Sequence, residues 1–104
     1  MTMHCLIFYV PEANAEAVKA AVFAAGGGRL GKYDCCCWQT TGSGQFRPLD
    51  GSHPAIGRQH TIEHVREIKV ELVVRDELLP AVIAALKAAH PYETPAYCHW
   101  PVSD

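Results

Sequence analysis

The alternation of apolar and polar residues predicts four strands and two helices. The first strand runs from Met3 to Val10 and is apolar on both faces, as expected for a central strand. One face carries Cys5, Ile7 and Tyr9, and the other carries Leu6, Phe8 and Val10. Pro11 is predicted to end this strand because proline donates no backbone hydrogen bond.

Two segments have the spacing of amphipathic helices. The first spans Glu12 to Ala25 and ends at the Gly26-Gly27-Gly28 run. The second begins at Asp76, predicted to be its N-cap, and continues through Ala89. The apolar residues predicted to form the buried stripes are Val18, Val22 and Ala25 in the first helix and Leu79, Val82, Ile83 and Leu86 in the second.

Three further strands are predicted. Tyr33 to Thr41 is rich in aromatic, cysteine and threonine residues, and Glu67 to Arg75 alternates apolar with mostly charged positions. Ala96 to Val102 forms the last strand, and Pro101 places that strand at a sheet edge.

The element order therefore predicts a single α+β domain over residues 1–104, a ferredoxin-like βαββαβ sandwich. Two right-handed split βαβ units give a four-stranded antiparallel sheet with both helices on one face. The first and third strands, being the most apolar, should be central. The connection between the second and third strands is far longer than the usual roughly five residues. Such a loop is typical of a functional segment or an oligomer contact.

The sheet face away from the helices is predicted to be apolar as well. Leu6, Phe8, Cys36 and Trp38 are assigned to it. A monomer would expose this patch to water, so the pattern favours self-association.

Composition and charge narrow the classes of function. The formal net charge of −2 gives no basic surface for nucleic acid or anionic membrane. No apolar run has the length of a membrane span, and the Met1-Thr2-Met3-His4 start does not resemble a secretory signal. A cytoplasmic location is the expectation.

Five cysteines raise the question of disulfides or metal. Their number is odd, three are consecutive at Cys35 to Cys37, and no CxxC pair occurs. Reduced, partly buried thiols are the simplest interpretation. A copper or zinc site is the alternative, with Cys35 and Cys37 on one strand face. The histidines that could join them are His53, His60, His64 and His99.

Three segments resemble a known family. They are Phe23 to Asp34 (FAAGGGRLGKYD), Thr41 to Pro48 (TGSGQFRP) with Pro54 to Gly57 (PAIG), and His90 to Tyr97 (HPYETPAY). In this order they resemble the PII/CutA-like domain inserted in bacterial members of the Nif-three-like (NGG-interacting factor three) family. The last segment is also similar to the tail motif of CutA proteins.

The resemblance implies a free-standing PII/CutA-like domain that forms a homotrimer. It also implies that the family's di-metal, hydrolase-like site lies in a flanking domain outside this sequence, so no hydrolase or cyclohydrolase activity is inferred. The Cys35 to Cys37 run and the stretch His60 to His64 depart from the family pattern.

Two segments supply the candidate ligand-binding residues. Gly42, Gly44 and Arg47 could hold an anion through backbone amides and a guanidinium group, with Phe46 as an apolar wall. The alternative is a glycine turn leaving the second strand, with Arg47 in solvent. The HPYE segment adds further candidates, while His90 and Pro91 are assigned to ending the second helix. The added candidates are Tyr92, Glu93 and Tyr97.

The sequence therefore favours a small trimeric module that binds a small polar ligand at clefts between subunits. No cofactor, metal ligand or catalytic residue is assigned, and an enzymatic function is the less favoured interpretation. The alternatives are a copper- or zinc-binding protein and an accessory piece of an enzyme supplied by a partner chain.

Overall fold

The computed structural model describes residues 2–103, which form four strands and two helices. The order is β1 (Thr2–Pro11), α1 (Ala15–Ala24), β2 (Trp38–Phe46), β3 (Glu63–Arg75), α2 (Leu79–Ala89) and β4 (Tyr97–Ser103). Single 3₁₀ turns, Glu12–Asn14 and Asp76–Leu78, lead into α1 and α2. No helix within this part of the chain combines the length and the apolar character that crossing a bilayer would require.

The strands form one antiparallel sheet in the order β2-β3-β1-β4. The predicted α+β ferredoxin-like fold is confirmed, as are the central positions of the first and third strands. β4 pairs along its whole length with the first part of β1, from Thr2 opposite Ser103 to Phe8 opposite Tyr97. β4 is an edge strand and accommodates Pro101 as predicted.

The hydrophobic core lies between one sheet face and the two helices. Leu6 lies opposite Leu72, and Phe8 lies opposite Val70, so these residues share a face. Both Leu6 and Phe8 are completely buried in the helix-side core. The prediction that they load the outer face is therefore wrong. The helices contribute Ala15, Val18, Val22, Leu79, Val82 and Leu86 to the same cluster.

The face of the sheet away from the helices, called the open face below, carries the other alternate residues. Ile7 and Cys5 on β1 lie next to Cys98 and Trp100 on β4, and Trp38 on β2 lies on the same face through its pairing with Glu71. Trp38 is 60% exposed and Trp100 is 43% exposed. The face therefore carries apolar side chains as predicted, although only Trp38 was among those assigned to it, and Lys69 and Glu71 of β3 add charged groups.

The second strand begins later than predicted. Residues 33–37 precede β2, and Cys35 has a positive φ of 55°, which is incompatible with a strand. The Cys36 amide donates to the Gly28 carbonyl at 2.8 Å, which ties this segment to the end of α1. Gly28 itself has φ of 76°, and a Cβ there would lie 2.7 Å from the Cys36 oxygen. Cys35 and Cys37 therefore share no strand face, and Cys36 does not lie on the open face.

Asp76 is not the predicted N-cap, because no side-chain cap bond forms at α2 or at the 3₁₀ turn before it. Its carboxylate instead accepts a hydrogen bond from the Thr2 hydroxyl and lies 3.4 Å from His4 Nε2. Asp76 thus connects the start of the second helical segment to the start of β1.

Candidate ligand-binding pocket

A pocket of about 250 Å³ opens on the sheet end where β1 leads toward α1. Its floor is formed by the ends of β1, β2 and β3, and its walls by the loop 47–62 and the segment before β4. The residues that line it are Tyr9, Gln45, Phe46, Pro48, Ser52, Pro54, Ala55, Ile56, Glu67, Tyr92, Glu93, Thr94 and Ala96. Most of these groups are apolar or aromatic, with a few polar ones between them, as in many small-molecule sites.

His90 fixes the chain as it leaves α2. Pro91 prevents the helix from continuing, and the His90 side chain is only 6% exposed. Its Nε2 lies 2.7 Å from the Tyr9 carbonyl oxygen, and the Tyr92 amide donates to its Nδ1 at 3.1 Å. Because a carbonyl only accepts and an amide only donates, the ring carries its proton on Nε2. The predicted structural role of His90 therefore extends to positioning Tyr92 beside Tyr9.

The Tyr92 side chain is fixed by two neighbouring rings and a hydrogen bond. Its ring lies edge-on to Phe46, with centroids 5.5 Å apart, and packs at 5.1 Å against His90. Its hydroxyl donates to Glu67 Oε2 at 3.2 Å. Gly44 makes room for this carboxylate, because a Cβ at position 44 would collide with the Glu67 side chain. A larger residue at position 44 would therefore displace the Glu67 carboxylate of the neighbouring strand from its present position.

Burial, and then the negative charge of Glu67 and its hydrogen bond, raise the pKa of Tyr92 to about 12. A raised pKa favours the neutral phenol in the folded state, so this contribution to stability is complete below the ordinary pKa of 10.0 and is lost as the pH rises through about 12. We expect a tyrosine ionisation near pH 12 in an ultraviolet titration of the folded protein. Tyr92→Phe should remove that transition, and its persistence in the variant would contradict the assignment.

The loop 47–62 closes the pocket within one chain. The His53 amide donates to Glu93 Oε1 at 3.0 Å, which joins the loop to the segment before β4. The His60 amide donates to the Pro48 carbonyl at 2.7 Å and draws the two ends of the loop together. The sequence analysis predicted that this long connection is a functional segment or an oligomer contact. The contact with Glu93 already forms without a neighbour.

Three of the seven predicted ligand-binding residues line this pocket, namely Phe46, Tyr92 and Glu93. Gly42 and Gly44 lie inside β2, so the alternative of a glycine turn leaving the strand is wrong, and both line a neighbouring depression that shares Tyr9 and Glu67 with this pocket. Arg47 is exposed and does not line the pocket. Tyr97 lies opposite Phe8 on the helix side, where Lys87 Nζ is 5.5 Å from its ring centroid.

Tyr9 and Glu67 were missed by the sequence analysis. Both lie in strands, where the sequence pattern gave no sign of a role in a binding site. Their pairing neighbours place them on the open face beside Gly44. The segment Pro54 to Ile56 belongs to one of the motifs that resemble the family, but the sequence analysis did not assign it to the site. The loop 47–62 brings it there.

The structure gives no support to the predicted alternative of a metal site. Within residues 2–103, no group of three or more His, Cys, Asp or Glu side chains has an arrangement suited to a metal ion. All five cysteines are free, and Cys35, Cys37 and Cys98 are exposed rather than partly buried as expected. His60 instead lies 2.6 Å from Asp50, and His4 Nδ1 lies 3.0 Å from His99 Nδ1.

No protein-family model matches the sequence. A protein of Mycobacterium tuberculosis named GTP cyclohydrolase 1 type 2 homolog is 50% identical over 91 residues, which is 88% of this chain and 24% of that protein. A Bacillus cereus protein related to NIF3 has the same fold, with a TM-score of 0.84, 33% identity and coverage of 99% of this chain and 26% of its own. The chain is a relative of the NIF3-related proteins. It spans about a quarter of their length.

The same architecture occurs in a second group of structures. The periplasmic divalent cation tolerance protein CutA of Archaeoglobus fulgidus has a TM-score of 0.67 at 20% identity, covering 98% of this chain and 85% of that one. This likeness shows the fold alone. The expected kinship to the Nif-three-like family and the PII/CutA-like fold are therefore both supported.

Proposed function

We propose that this chain is a small trimeric binding or regulatory module that holds a small polar ligand in the pocket described above. One observation carries the proposal. Two of the segments by which the sequence resembles the Nif-three-like family, Thr41 to Pro48 with Pro54 to Gly57 and His90 to Tyr97, meet at this pocket and supply most of its lining. A fold shared for structural reasons alone would not require these segments to converge.

The construction of the pocket supports binding. Tyr92 is held by two rings and two hydrogen bonds, so its wall is already in place before a ligand enters. Preformed apolar walls lower the ordering cost of binding, while Glu67 and Glu93 can orient a polar group. None of these residues forms an acid, base and nucleophile set, so binding is proposed rather than catalysis.

The open face supports self-association. Its exposed aromatic residues, Trp38 and Trp100, lie on a sheet that the helices leave uncovered on that side. Burying such residues between copies of the chain would remove apolar surface from water. The trimeric form follows the resemblance to CutA proteins, and Arg47 and Tyr97 keep their predicted ligand-binding role only if a neighbouring subunit brings them to a cleft.

A thermal-shift screen of metabolites of different charge tests the proposal. A ligand present at about 100 times its Kd stabilises the folded state by roughly 2.7 kcal/mol, and the melting temperature should rise accordingly. Phe46→Ala removes one apolar wall and the ring that contacts Tyr92, so the shift should be lost in this variant. Tyr33→Ala is the matched control, because Tyr33 is 76% exposed and lies outside the pocket.

The Tyr33→Ala protein should keep the full ligand-induced shift. A screen in which no compound of any charge raises the melting temperature of the wild type would overturn the proposal. A shift that survives Phe46→Ala would place the ligand elsewhere on the protein.

A further inference from the structure

The charges that line the pocket define which ligand it suits. Two carboxylates, Glu67 and Glu93, are among the lining residues, and no lysine or arginine is. Lys69 lines the neighbouring depression, but its ammonium group lies 3.1 Å from Glu71, which raises the pKa of Lys69. The pocket therefore combines negative charge with aromatic walls.

The carboxylates of Glu67 and Glu93 can each accept further hydrogen bonds. Glu67 receives one bond, from the Tyr92 hydroxyl to Oε2, and Glu93 receives one, from the His53 amide to Oε1. A carboxylate has about four acceptor positions, so each can take further donors. A ligand with several N–H groups would use this capacity, whereas an anion would be repelled by both groups.

The aromatic walls add a second preference. The rings of Phe46 and Tyr92 meet edge to face, and Tyr9 lines the same space. Organic cations are attracted to such rings, and planar, weakly hydrated ones stack on them more readily than an ammonium group does. A flat cation with parallel N–H groups also matches the geometry of a carboxylate.

We propose that the pocket binds an organic cation whose charged group is a planar amidinium or guanidinium. The inference rests on the proposed function and specifies its ligand class. The planar head would donate to Glu67 and Glu93, and its apolar stem would lie between the aromatic rings and the Pro54 to Ile56 segment. This differs from the anionic group expected for Gly42, Gly44 and Arg47, which lie outside this pocket.

Isothermal titration with benzamidine and benzamide tests the ligand class directly. The two molecules have nearly the same size and shape, but at neutral pH only benzamidine is charged. Benzamidine should bind the wild-type chain, and benzamide should bind at least about tenfold more weakly because it cannot make the charge-assisted bonds. Glu67→Gln should weaken benzamidine binding by at least about tenfold. Glu77→Gln, on the exposed turn before α2, is the matched control and should leave it unchanged.

The outcomes separate the two proposals. Equal binding of benzamide, absence of benzamidine binding, or insensitivity to Glu67→Gln would overturn the cation inference. Preferential binding of benzoate that is lost in Phe46→Ala would overturn it while leaving the proposed binding function intact. If no compound of any charge binds, both proposals are wrong.

Discussion

Phe8→Ala is expected to destabilise the folded chain by about 3–5 kcal/mol, the usual cost of truncating a buried phenylalanine. The ring is completely buried between the sheet and the two helices, and the surrounding strands cannot collapse into the space it leaves. For a domain of this size the melting temperature should fall by at least about 12 °C. Chemical denaturation with urea, followed by circular dichroism, measures the loss.

The same substitution distinguishes between the two positions considered for Phe8, the hydrophobic core and the open face. On the open face, its removal would have affected assembly and spared each subunit, whereas in the core it weakens the subunit itself. Tyr33→Ala serves as the control, since a side chain that is 76% exposed should change stability by less than about 0.5 kcal/mol. A loss below about 1 kcal/mol in Phe8→Ala would contradict the core position.

Trp38→Lys is expected to convert the proposed trimer to monomers at micromolar concentration. Buried tryptophans contribute disproportionately to interfaces, and the substitution would replace the ring with an ammonium group opposite Glu71 on the open face. Association would then lose the apolar area of the ring and would have to take charged groups out of water. Light scattering should give three times the 11.4 kDa chain mass for the wild type and the single chain mass for the variant.

Tyr33→Lys provides the matched control, because it adds the same charge at an exposed residue before β2. It should remain trimeric. The monomeric variant should keep its fold, since Trp38 is 60% exposed and outside the core. A wild type that scatters as a monomer would refute the proposed trimer, and a trimeric Trp38→Lys would exclude this face as the interface.

The periodicity of apolar residues along the chain was sufficient to predict the fold, because long alternating segments are compatible with few arrangements of strands and helices. The alternation from Glu67 to Arg75 clearly predicts a strand. Its pairing with β1 could be inferred because these two strands are the most apolar. Which face of β1 meets the helices could not be predicted in the same way. Both faces are apolar, so the choice between Leu6 with Phe8 and Cys5 with Ile7 depends on packing volume and helix contacts.

The start of β2 was misplaced for a local reason. Tyr33 to Cys37 has the composition of a strand, but Gly28 allows the chain to return to the end of α1 and pair with Cys36 instead. A tertiary hydrogen bond thus overrode the intrinsic preference. The strand also ends later than predicted, at Phe46, so Gly42 and Gly44 lie within β2 rather than in the loop that follows it.

The pocket could be predicted only in part. Phe46, Tyr92 and Glu93 stand in recognisable motifs, so sequence alone could nominate them. Tyr9 and Glu67 stand in ordinary strand patterns and join the site through the register of three strands. Register depends on pairing across the sheet, which a single sequence does not display.

The pairing of Thr2 with Ser103 has a consequence for how this unit can be joined to other chains. Directly opposed residues of antiparallel strands lie only about 5 Å apart, so the chain enters and leaves the sheet at the same point. A host protein could accept the unit in a surface turn without separating the two halves of that turn, as compact units with adjacent ends commonly allow. The same sheet, helices and pocket are therefore compatible with an independent molecule and with a domain inserted in a larger polypeptide.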